Sequence, residues 1–136
     1  MADKWIKDTK ILVTIQTIKY LIKGGRLSTT KGFLAGLLHV NPIISLNESG
    51  KAIVFDKGFN KKSNMEKIVA LIRNRNLENP IWNYIVLHAN NPEAAEWYRE
   101  RMVQITGKEP VSVMNISPII GANIGAGASA VAFMNE

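Results

Sequence analysis

WNYIVLHANNPEAAEWYRERMVQITGKEPVSVMNI, residues 82–116, carries a strand, a helix and a second strand in direct succession, and that succession decides the fold class. Trp82 to Leu87 is rich in β-branched and aromatic residues and reads as a strand that empties into His88, Ala89 and Asn90. Asn91 followed by Pro92 has the form of an N-cap and a first-turn proline. The helix they open would bury Ala94, Tyr98, Met102 and Ile105 on one face, and Gly107 would close it. Val111 to Ile116 is then a further strand.

The upstream chain repeats the alternation. Ile11 to Ile15 is a continuous β-branched run, hence a buried strand, and Ile18, Leu21 and Ile22 fall at helical spacing after it. Asn41-Pro42 marks the end of a helix, because a residue before proline is pushed out of the α region. Two extended runs follow, Ile43 to Leu46 and Ala52 to Phe55, and Asn47 to Gly50 between them gives a hairpin. Ser63 with Glu66 forms a capping box ahead of Met65, Ile68, Val69 and Ile72, and a start nearer Asn60 fits equally well. Arg73 to Asn79 reads as a polar linker closed by Pro80. Downstream, the glycine-rich passage Gly121 to Ala130 leads into a last apolar run, Val131 to Met134. The expected class is α/β, with a mixed sheet and helices packed on it, because the hairpin prevents an all-parallel arrangement.

The functional reading centres on YLIKGGRLSTTKGFLAGLL, residues 20–38. Gly24 and Gly25 end one helix, Arg26 follows at once, and Ser28, Thr29 or Thr30 can cap a second helix. That second helix, Lys31 to about Leu38, carries Phe33, Leu34, Ala35, Leu37 and Leu38 with almost no polar face. A guanidinium beside a helix N-terminus attracts an anion, and an apolar wall beside it suits a greasy body. The plainer alternative for Arg26 is an ordinary surface arginine near a helix end. Gly121, Gly125 and Gly127 can turn backbone N–H groups toward one point to make an anion nest, or can simply permit a tight passage of the chain. Asn123 among them can donate its amide to a carboxylate.

The totals narrow the classes. The chain has 136 residues, enough for one domain with a core, and 46% hydrophobic and 21% charged residues are those of a globular protein. No apolar run approaches the roughly 20 residues that cross a bilayer, so no stable membrane insertion is expected. The absence of cysteine removes disulfides and thiolate metal sites and suits a cytoplasmic location. The net charge of +6 permits nucleic acid, yet the basic residues are scattered. Their densest group, Lys57, Lys61, Lys62 and Lys67, has no RNA-binding aromatic motif or zinc-finger spacing beside it, so a solvated basic face is expected and no nucleic-acid partner. His88 reads as bonded to its own loop and His39 as a helix cap. No nucleophile, base and carboxylate combine, and two histidines give no metal site. A binding module follows: no catalytic residues, no metal and no cofactor. The chain opens on what looks like a helix tail, Ala2 to Lys10, as a piece cut from something longer would.

Three motifs in register carry a resemblance. KGGRLSTTKGF at Lys23 to Phe33, VLHANNPEAAE at Val86 to Glu96 and SPIIGANIGAGASAVAF at Ser117 to Phe133 together resemble the C-terminal domain of the DegV family of bacterial fatty-acid-binding proteins, from about Thr9 to Phe133. The resemblance implies a single domain over residues 1–136 whose N-terminal companion is absent. It also implies half of an inter-domain site for a long-chain fatty acid, presented in many members to a fatty acid kinase. The head would be held by Arg26, Asn123, Gly121, Gly125 and Gly127. Phe33, Leu34 and Leu37 on the buried helix would line the tail. The family ending has a histidine where this chain has Asn123, a threonine at Ile124 and a proline at Ala126. Asparagine can hydrogen-bond but cannot shuttle a proton at neutral pH. The competing reading is a non-binding interaction or regulatory module of a larger dihydroxyacetone-kinase-like protein, forming a homodimer through the face its missing partner would cover.

Overall fold

Period-two alternation builds the sheet. In β1 (Thr9–Thr14) Leu12 and Thr14 are buried on one face while Ile11 and Val13 turn to the other. The structure, a computed structural model, describes residues 8–15, 17–23, 36, 41–116, 125 and 127–136. After β1 come the short helix α1 (Lys19–Lys23), the hairpin strands β2 (Asn41–Leu46) and β3 (Ala52–Gly58), and the long helix α2 (Lys61–Glu78). Strand β4 (Ile81–His88), helix α3 (Pro92–Thr106), edge strand β5 (Val113–Asn115) and β6 (Ser129–Asn135) complete the order. The six strands form one sheet, β3-β2-β1-β6-β4-β5. Every neighbouring pair is antiparallel except β4 and β5. The sheet is therefore mixed, as the hairpin required, and α3 is the crossover that a parallel pair needs.

Helices α2 and α3 cover one face. Met65, Ile68, Val69 and Ile72 of α2 and Ala94, Tyr98 and Met102 of α3 close on Leu12, Tyr84, Val86, Val131 and Phe133. A second apolar cluster joins Ile15, Ile18, Leu21, Ile44, Ala89 and Ala128. Its strand members alternate with those of the first, so it belongs to the opposite face, where α1 lies. No described helix is long and apolar enough to cross a membrane.

Several sequence boundaries are corrected. β2 begins at Asn41 instead of Ile43, with Pro42 inside it opposite Lys57. The β1 ladder stops at Thr14 and Ile43, so proline sits one residue beyond it near the start of its strand, where a missing N–H is tolerated. Of the two starts open for α2, Asn60 rather than Ser63 is the N-cap. Its side chain accepts from the Ser63 backbone N–H at 2.8 Å, and the Ser63 hydroxyl faces back to the Asn60 N–H. Arg73 to Glu78 is helical instead of a linker, because no breaker precedes Asn79, whose N–H donates to the Arg75 carbonyl as the C-cap. The Val111–Ile116 strand contracts to the three residues of β5. The buried helix expected at Lys31 to Leu38 lies outside the described residues, as does His39.

Candidate ligand-binding site

The carboxyl ends of β4 and β5, the start of β6 and the N-termini of α2 and α3 meet at one end of the sheet. In an open α/β sheet this is the end where loops gather and ligands bind. Two glycines allow the chain to enter β6 there. Gly125 is buried with φ of 82°, and Gly127 has φ of 87°, both in the left-handed region that a Cβ disfavours. Gly127 is pinned at both polar atoms. Its N–H donates to the Ala89 carbonyl at 2.8 Å, and its carbonyl accepts from Asn91 Nδ2 at 3.0 Å and from Lys61 Nζ. The Ala89 N–H returns a bond to the Ala128 carbonyl at 2.8 Å.

The HANN turn after β4 is equally constrained. Asn90 takes φ of 50°, which asparagine tolerates better than most residues, and its N–H donates to Asn115 Oδ1 at 3.1 Å. His88 Nδ1 accepts from the Asn91 N–H at 3.0 Å, so the histidine is bonded to its own loop as its position suggested. Asn91 caps α3 by accepting from the Ala94 N–H while its amide holds Gly127. One side chain thus joins the helix start to the glycine passage.

Below this turn lies a polar row, buried at Thr14 and Ser129 and half-buried at His88. Thr14, Ser129 and His88 are in register across β1, β6 and β4. Thr14 and Ser129 are fully buried, and their hydroxyls lie 2.8 Å apart. The Tyr98 hydroxyl is buried beside this pair without a hydrogen bond of ordinary geometry. Burial raises its pKa, against the smaller lowering effect of the Thr14 and Ser129 hydroxyls.

Lys61 departs from the solvated basic face expected of its cluster. It is half-buried, burial lowers its pKa, and among the described residues it joins no carboxylate. Lys67 fits the expectation better, lying 3.7 Å from Asp56 and half exposed. No group of three or more His, Asp or Glu among the described residues is placed to hold a metal.

Of the expected head residues, the structure brings Gly125 and Gly127 to the sheet end. Arg26, Asn123 and Gly121, and the tail residues Phe33, Leu34 and Leu37, lie outside the described residues. Lys61 and the second bond of Asn91 were not anticipated. Asn91 was legible only as a cap, and nothing in a lysine cluster distinguishes the one that turns inward. Thr14 and Ser129 were hidden too, being far apart in sequence and joined only by strand pairing.

A family model described as "Uncharacterised protein, DegV family COG1307" matches residues 1–136. A DegV domain-containing protein of Streptococcus pneumoniae (strain ATCC BAA-255 / R6) is 29% identical over 129 residues, which is 95% of this chain and 45% of that protein. The fold is similar to the crystal structure of a fatty acid binding DegV family protein from Streptococcus agalactiae, with a TM-score of 0.84 at 20% identity over 97% of this chain and 46% of the other. It is also similar to a stearic acid-binding protein from Eubacterium ventriosum, with a TM-score of 0.80 at 17% identity over 98% and 46%. The chain thus spans less than half the length of these relatives.

Proposed function

The chain belongs to the DegV family, and from that premise we propose that it is the C-terminal lipid-binding domain of a cytoplasmic fatty-acid carrier. It would contribute one half of a site whose other half comes from a companion domain, and would present the bound acid to a fatty acid kinase. The single observation that carries the reading is the family match along the whole chain. The fastening of the Gly125–Gly127 passage at the sheet end supports it, since that gives an anion-binding loop a fixed base. In this reading Arg26, Asn123 and the glycine loop face the carboxylate, and Phe33, Leu34 and Leu37 line the tail. The domain carries its ligand without transforming it.

The energetic division follows from the ligand's chemistry. A charge-assisted Arg–carboxylate bond contributes about 1.5–3 kcal/mol. A buried acyl chain contributes about 0.8 kcal/mol per methylene, several times more in total. Tail burial therefore sets affinity, and Arg26 sets orientation. Native mass spectrometry of the intact protein is expected to find a co-purifying fatty acid. After delipidation, Arg26→Ala is expected to weaken rebinding by about 10- to 100-fold. A protein that neither carries nor rebinds any long-chain acid refutes the proposal.

A further inference from the structure

Lys61 occupies an unfavourable place. As the first residue of α2 it puts positive charge at the positive end of the helix dipole, and burial adds a desolvation cost. Among the described residues no carboxylate offsets either effect. Its observed partner is the carbonyl of Gly127, 66 residues later. Asn91, the cap of α3, reaches the same carbonyl at 3.0 Å. One peptide group is therefore held from two helix N-termini, next to two left-handed glycines that otherwise leave the backbone free to flip.

We propose that Lys61 is a positioning residue for the anionic head of the ligand: with Asn91 it clamps the Gly127 carbonyl and so fixes the glycine passage in the conformation that receives a carboxylate. This rests on the fatty-acid reading above and extends it to a side chain on a different element from the expected contacts. Turning the Gly127 carbonyl toward two donors keeps a partial negative charge from facing an incoming anion. Arginine at this position retains donors that can reach the carbonyl, whereas methionine keeps the length and removes the bond.

The test uses the intact protein with Lys61→Met and Lys61→Arg, and two readouts. In amide hydrogen exchange without ligand, Lys61→Met is expected to speed exchange at Gly127 and Ala89 about tenfold while Val131 in the middle of β6 is unchanged. In binding, oleic acid is expected to lose about tenfold in affinity and oleyl alcohol, which has the same tail and a neutral head, to lose none. Lys61→Arg is expected to restore both readouts. Exchange that is unchanged or uniformly faster overturns the clamp, and equal loss of acid and alcohol overturns its link to the head group. A wild type that binds neither ligand refutes the carrier reading instead, and the exchange pattern then still decides the clamp.

Discussion

Gly58→Ala offers a demanding check of how β3 is joined to α2. Gly58 is the last residue of β3 and does not have a positive φ, so its backbone accepts alanine without torsional strain. Packing forbids it. A Cβ there would stand 2.1 Å from Asn64 Oδ1 and 3.2 Å from both Asn64 Cγ and Ser63 Oγ. Asn64 cannot simply swing aside, because it is fully buried and its Nδ2 donates to the Asn41 carbonyl at 2.7 Å. Overpacking of this kind costs about 1–3 kcal/mol, and loss of the Asn64–Asn41 bond adds about 0.5–1.5 kcal/mol. Alanine regains some of the conformational entropy that glycine loses on folding, so the expected net destabilisation is about 2–3 kcal/mol. Urea unfolding measures it as a lower midpoint at unchanged slope. The sharper result is the double mutant. Asn64→Ala removes the obstructing oxygen, so Gly58→Ala on that background is expected to cost less than about 0.5 kcal/mol, a coupling of roughly 2 kcal/mol. Additive effects of the two substitutions would refute the steric account.

Three further outcomes follow from contacts in the site and core. Tyr98→Phe removes a buried hydroxyl that makes no ordinary hydrogen bond, so urea unfolding is expected to find it neutral or up to about 1 kcal/mol stabilising; a loss above about 1 kcal/mol would show that the hydroxyl is bonded. Asn91→Ala removes the cap of α3 and one of the two donors to Gly127, and is expected to cost about 1–2 kcal/mol in the same assay, with Asn91→Asp recovering the cap but not the amide bond. For pH, burial lowers the Lys61 pKa from 10.5 and raises those of Tyr84 and Tyr98 from 10.0. Between the lowered lysine value and 10.5 the unfolded chain holds more protons, so Lys61 contributes stability that rises with pH across that window. Above pH 10 the unfolded tyrosines ionise first, so their contribution falls. Thermal melts from pH 8 to 11 are expected to lose the rising component in Lys61→Met, and an unchanged profile would contradict the burial of its ammonium.

Local chemistry made much of the fold legible. The β4–α3–β5 unit follows from apolar alternation, an Asn-Pro start and a glycine stop, and Gly107 does end α3 with φ of 69°. The hairpin followed from two extended runs around Asn47 to Gly50, where Asn47 Oδ1 accepts from the Ser49 and Lys51 N–H groups. The boundary differences share one cause. Single-residue preferences leave the starts of β2 and α2 and the end of α2 open, and each is decided by a partner: Lys57 across the ladder from Pro42, the reciprocal bonds of Asn60 with Ser63, and an uninterrupted helical series up to Asn79. Within the site, the glycines were visible because their conformational freedom belongs to the residue itself. Lys61 was not, because its inward turn depends on a carbonyl 66 positions away.

Sequence alone determined the α/β class, the mixed character of the sheet, the caps of α3 and the family resemblance, since these depend on residue type at short, regular spacing. The tertiary structure decided that β6, last in the chain, lies between β1 and β4, and that Thr14 meets Ser129 beneath Tyr98. It also decided that Lys61 and Asn91 close on one peptide of the glycine passage. Such contacts arise where strand pairing and burial bring distant residues together, and no local periodicity encodes which of several similar side chains will be the one enclosed.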